Sequence, residues 1–181
     1  MSTELELDSW ISAPQVRTRH RRRAAASADR LWEAAGGVRV CDTRALGRAV
    51  RWRIPGTPAD ITFRELFRRY PFTVLAEGER WSISGLCGRI WTIRRDYPRI
   101  TGIEGFAAWD EPGTVRVILA HWIEPEGDGR AALVSESRVE PTDRRAQFRL
   151  RALWALVGHF DRLVGGEALG IAARRAERDP G

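Results

Sequence analysis

Lysine is absent from this 181-residue chain. All 30 basic side chains are arginine, against 24 carboxylates, for a formal net charge of +6. A basic balance can serve a nucleic-acid partner. Here the acidic residues are spread along the chain and leave one dense basic block, so the arginine-only usage reads as coding bias and no nucleic-acid partner is expected. Cysteine is scarce too. Cys41 and Cys87 are too few for a disulfide framework and lack metal-ligand spacing, which points to a reduced, cytoplasmic setting. No apolar run approaches the length of a membrane span, so no integral membrane association is expected. Met1 to Asp8 is acidic and has no apolar core, unlike a secretory signal. The short motifs of dedicated catalysts are missing as well: there is no Gly-x-Ser-x-Gly elbow and no phosphate loop. His20, His121 and His159 lie far apart, so neither a metal set nor a cofactor is expected. These absences leave open a cyclase-type chemistry, which needs only an apolar cavity and one or two acid–base groups.

What is present suits one globular domain. Hydrophobic content of 43% and charged content of 30% are ordinary for a folded domain of this length. The strongest pattern lies at the C-terminus. Ala146, Leu150, Leu153, Val157, Phe160 and Val164 recur at alternating steps of four and three, one narrow stripe at 100° per residue. With Thr142 and Asp143 as a start signal, Arg174, Arg175 and Arg178 at the far end and Pro180 as a stop, the spacing predicts one long helix from Thr142 to Arg178. The pair Gly165-Gly166 is a place for it to kink. Such a stripe needs a broad apolar surface, and a sheet supplies one.

Upstream, residues 1–15 read as a flexible arm in which Trp10 and Ile11 dock on the body. Arg17, Arg19, Arg21 and Arg23 alternate with Thr18, His20, Arg22 and Ala24, a strand period that puts a row of guanidiniums on one face. That suits an edge strand with its charges in solvent, and a phosphate-binding ladder is the sharper alternative. Ser27 caps a helix through Ala35 that ends at Gly36-Gly37, and a short helical piece follows at 43–46. Residues 51–54 read as extended, and Thr62 to Arg69 as helical. Phe72–Ala76 and Arg80–Ser84 form a hairpin pattern; Arg89–Ile93, Ile103–Trp109, Thr114–Glu124 and Arg130–Glu140 follow as strands separated by turn residues.

Three stretches carry a resemblance to a known family. His20 to Ala35 resembles an opening strand and a Ser-Ala-x-x-Leu-Trp-x-Ala helix start. Gly113 to Val117 with Trp122 resembles a late strand. Ser135-Glu-Ser-Arg-Val139, Pro141-Thr-Asp143 and Arg149 to Trp154 resemble the last strand and helix of uncharacterised bacterial members of the START/Bet v 1-like (SRPBCC) superfamily. The likeness runs from about residue 16 to the end. It implies an α+β helix-grip fold: a curved antiparallel sheet wrapped around a long C-terminal helix, with 16–181 as a single domain. Members of this superfamily look like cavity proteins. Some carry lipids or other hydrophobic ligands, some cyclise polyketides, and some act as regulators or co-chaperones, so fold alone does not choose among these jobs.

A cavity in such a fold would lie between sheet and helix. On Thr114–Glu124, Arg116 belongs in water, which turns Val115, Val117, Leu119, His121 and Ile123 inward. His121 is either a hydrogen-bonded core histidine or a proton-shuttling ligand contact. On the last strand Leu133, Ser135, Ser137 and Val139 share one face, and Val134, Glu136, Arg138 and Glu140 the other. Charge sends Glu136 and Arg138 outward; if inward, they would form a buried ion pair that hints at function. Trp91, Trp109, Trp122 and Trp154 are candidate cavity walls, and Asp161 flanks the helix stripe near Trp154. Three functions follow as alternatives: a carrier of a hydrophobic small molecule, a polyketide cyclase/aromatase-like enzyme using His121 or the Glu136–Arg138 pair, and an interaction protein without a ligand.

Overall fold

The structure is a computed structural model that describes residues 6–92, 97–164 and 166–178, with the side chains of Val157 and of residues 159–164 outside the description. Five strands form one antiparallel sheet in the order β1-β5-β4-β3-β2. They are β1 (Val16–Ala24), β2 (Thr73–Gly78), β3 (Trp81–Gly88), β4 (Val115–Gly127) and β5 (Arg130–Pro141). The helices are α1 (Leu7–Trp10), α2 (Ala28–Gly36), α3 (Ala45–Arg53), α4 (Phe63–Leu66), α5 (Gly102–Ala107), α6 (Arg144–Val164) and α7 (Glu167–Arg178). This is the α+β helix-grip arrangement, an open antiparallel sheet with the C-terminal helices against it. Among the described residues no helix is long and apolar enough to cross a membrane.

The single C-terminal helix expected from Thr142 to Arg178 is two helices, because the chain turns at Gly166. Among the described side chains of α6, Ala146 and Leu150 are buried, with Leu150 against Val16, Val115, Val117 and Val139 at one end of the sheet. The gripped helix is α7. Its Leu169, Ala172, Ala173 and Ala176 pack with Leu31 of α2 and with Ala24, Ala131 and Leu133 at the other end. Small residues on α7 let it lie close to α2 and β1, and that closeness leaves the middle of the sheet face to other elements.

Three expectations for the middle of the chain change. Residues 51–53 continue α3 rather than running extended. The helix starts where the Glu167 carboxylate accepts hydrogen bonds from the backbone N–H groups of Ala45 (3.1 Å) and Leu46 (3.0 Å), an anion at a helix N-terminus held from α7. Ile103–Trp109, expected as a strand, contains α5. Its burial is one-sided in the manner of a helix, with Phe106 buried and Ile103 50% exposed. Arg89 to Thr92 is loop and turn, and Ile93 lies outside the described residues.

Candidate functional site

The two faces of the sheet meet different surroundings. The outer face is closed. Ile83, Ile118, Ala120, Trp122 and Val134 pack there with Phe106 of α5 and with Leu7 and Ile11 from the N-terminal segment. This is where the described part of the arm, from residue 6, docks. Its seat is electrostatic as well. Arg138 donates to Glu136 (Nε to Oε1, 2.8 Å), to the carbonyl of Ile11 (2.8 Å) and to Asp8, while Arg17 grips Glu136 through two bonds of 2.9 and 3.1 Å. The bond from Arg138 holds the Asp8 carboxyl below the usual carboxylate range.

The arginine row of β1 lies on this same side, on an edge strand as the spacing suggests. Its four arginines are exposed, as expected, and they are also ion-paired. Arg19 and Arg21 bond Glu124, both at 2.8 Å, and Arg21 and Arg23 bond Glu126, the latter at 2.8 Å. The row is zipped to carboxylates of β4, one strand beyond its pairing partner, and so is not a bare phosphate ladder.

The inner face is open in its middle. Between it and α2, α3, α4 and α7 lies a hollow of about 420 Å³. Strand register sets its floor. His20, Ser135, His121 and Ser82 lie side by side across β1, β5, β4 and β3, and Thr18, Ser137, Leu119 and Ser84 form the adjacent row. The next rows out are apolar, Leu133 with Ile123 on one side and Val139 with Val117 on the other. The floor is thus a polar belt two residues wide between apolar rows. The walls above it are apolar: Trp32, Val38, Leu46, Val50, Ile54, Phe63, Phe67, Phe72 and Leu169.

Four of the belt's polar side chains have no hydrogen-bond partner among the described residues. Thr18 and Ser137 bond each other through their hydroxyls at 2.8 Å. Ser82, Ser84 and Ser135 have no side-chain hydrogen-bond partner among the described residues. His121 stacks on Phe67, ring centroids 4.9 Å apart and planes 26° from parallel, and has no hydrogen-bond partner among the described residues either. Its open surface faces the hollow, not bulk water, so loss of hydration pushes its pKa down to about 4 and the ring is neutral at pH 7. Such an imidazole offers one N–H donor and one acceptor. Among the described residues, no group of three or more His, Cys, Asp and Glu side chains could hold a metal ion.

Of the residues singled out from sequence, His121 lines the hollow. Glu136, Arg138 and Trp122 do not: all three are on the outer face. For Trp122 parity decides, since it shares the face of Arg116, Ile118 and Ala120. Glu136 and Arg138 do face away from the hollow, yet they are buried, 1% and 5% exposed, because the N-terminal segment covers them. Trp109 also packs on the outer side, its Nε1 bonded to Thr114 at 2.9 Å. Trp91 and Trp154 belong to the apolar cluster under α6, where the Trp91 indole N–H is buried without a partner among the described residues. The side chain of Asp161 lies outside the described residues. Sequence reasoning missed Trp32, Phe67, Arg53 and the serines of β3 as hollow-lining groups. Pairing Ser135 opposite His121 across the β4–β5 turn was the available signal for the belt.

The chain matches no protein-family model and no curated protein. Among solved structures it is similar to a hypothetical protein, jhp0584 of Helicobacter pylori, at 10% identity, 94% coverage of each chain and a TM-score of 0.41. It is also similar to norcoclaurine synthase of Thalictrum flavum in complex with dopamine and hydroxybenzaldehyde, at 10% identity over 92% of this chain and 89% of that one, TM-score 0.37. A third is the Zhui aromatase/cyclase of Streptomyces sp. R1128, at 16% identity over 92% and 98%, TM-score 0.32. Likenesses this distant carry no argument about ligand or reaction.

Proposed function

We propose that the protein binds a hydrophobic small molecule in the hollow on the inner face of the sheet. The observation that carries this reading is the combination of apolar walls with four floor groups, Ser82, Ser84, Ser135 and His121, that have no hydrogen-bond partner among the described residues. A few convergent polar groups in an apolar concavity are what a ligand site needs to orient its guest. The volume, about 420 Å³, is in the range of small-molecule pockets.

Binding is favoured over acid–base catalysis by the state of His121. A general base works best with a pKa near the operating pH, and a ring pushed down to about 4 is a weak base at pH 7. The test is native mass spectrometry for co-purified ligand, with titration by a neutral apolar dye such as phenylnaphthylamine. Saturable binding that Leu119→Trp abolishes, by filling the hollow from its floor, supports the proposal. A chain that takes up neither ligand nor dye refutes it.

A further inference from the structure

The charged side chains around the hollow narrow the class of molecule it takes. Arg68 is paired with Glu77. Arg64 is exposed, lies over the Trp32 ring at 5.2 Å and donates to the Trp32 carbonyl. Arg53 differs. It is half-buried at the end of α3, its Nη2 donates to the Ile90 carbonyl at 2.9 Å, and its guanidinium lies 5.2 Å from the Tyr97 ring. It has no carboxylate partner among the described residues. A guanidinium carries five donors in a planar fork that matches an oxyanion, and a half-buried one without a counter-charge keeps an unmet demand for it.

Position makes this demand relevant. Arg53 lines the hollow and also a neighbouring space of about 350 Å³, which has Arg69 on its wall. Arg69 is exposed and interacts electrostatically with the Glu65 carboxylate. We propose that the ligand is an amphipathic organic anion, with its apolar body over the serine and His121 belt and its oxyanion, in the simplest case a carboxylate, on Arg53. This rests on the reading of the hollow as a ligand site.

The experiment uses the full chain at pH 7.5 and displaces bound phenylnaphthylamine with an alkyl carboxylate or with the primary alcohol of the same chain length. The carboxylate should bind about 10-fold or more tightly than the alcohol, the scale of one charge-assisted pair. Arg53→Gln should erase that preference, Arg53→Lys should keep part of it, and Arg64→Gln should keep it whole. Equal binding of acid and alcohol by the unmodified chain overturns the proposal whether or not any variant folds. So does a preference that survives Arg53→Gln, or one lost equally in Arg64→Gln. Failure of the dye itself to bind removes the ligand site and this proposal together, whereas dye binding without acid preference removes only the proposal.

Discussion

Mild acid should destabilise this protein through His121. The unfolded chain presents that imidazole to water with a pKa near 6.5, whereas the folded chain holds it at about 4. Above pH 6.5 both states are neutral and the ring contributes no pH dependence. As pH falls below 6.5 the unfolded state takes up a proton that the folded state refuses, so unfolding becomes easier with each step down. The effect is complete once pH passes about 4. A gap of about 2.5 pH units at 1.36 kcal/mol each sets an upper bound of about 3 kcal/mol. Water inside the hollow would reduce it. Urea unfolding at several pH values between 4 and 7.5 measures the slope, and His121→Gln, which cannot titrate, removes the share due to this ring. The expected result is a wild-type free energy that falls more steeply than that of the variant by about 1–3 kcal/mol across the window. Parallel pH profiles, or an NMR titration in which the His121 ring protonates near pH 6.5, would refute the reasoning. In that case the imidazole is hydrated, and the hollow is wetter than its walls imply.

On the outer face, Glu136→Gln should cost about 3 kcal/mol in chemical denaturation, because it leaves buried Arg138 short of its internal carboxylate; a cost under 0.5 kcal/mol would show that Asp8 and the Ile11 carbonyl suffice. Deleting residues 1–11 should lower stability by about 2–4 kcal/mol, since Leu7 and Ile11 are buried. Dye affinity in the hollow should stay within about twofold after that deletion, because the hollow lies on the opposite side of the sheet. Gly47→Ala should reduce melting temperature and dye affinity together: its Cβ would fall 2.2 Å from the Val40 carbonyl oxygen, a backbone atom that cannot step aside, and α3 carries one wall of the hollow. Unchanged dye affinity in Gly47→Ala would separate the seating of α3 from the shape of the site.

The strands were legible because their pattern is local. Arg17 to Arg23 alternates in charge, Thr114–Glu124 alternates in polarity, and each ends at turn residues. Ser27 was readable as a cap because its side chain does accept from the Arg30 N–H, at 3.4 Å. The misread elements are those whose state is set at a distance. Residues 51–53 are helical in a segment whose start is anchored by Glu167, more than a hundred residues away. Ile103–Trp109 has strand-like composition, but it packs by Phe106 against Trp10 and the outer face. The site was legible in its floor and not in its roof. His121 and the Ser135–Ser137 face follow from period two, whereas Trp32, Phe67 and Arg53 reach the hollow only through packing between helices.

The last strand joins these observations. Along β5, Ser135 and Ser137 point one way and Glu136 and Arg138 the other, so neighbouring residues meet opposite environments. The outer face is withdrawn from solvent, which normally calls for every polar group there to be satisfied. On the outer face the protein supplies the partners itself: Arg17, Asp8 and the Ile11 carbonyl close the network around Glu136 and Arg138. On the inner face three serine hydroxyls and an imidazole go without partners among the described residues, beside a guanidinium with no carboxylate partner among them. The charges of the last strand therefore hold the fold, and the plain serines between them line the hollow. A polar floor under Trp32, Phe67 and Phe72 sets hydroxyls and an imidazole against an apolar roof, and this asymmetry is what the proposed ligand reading rests on.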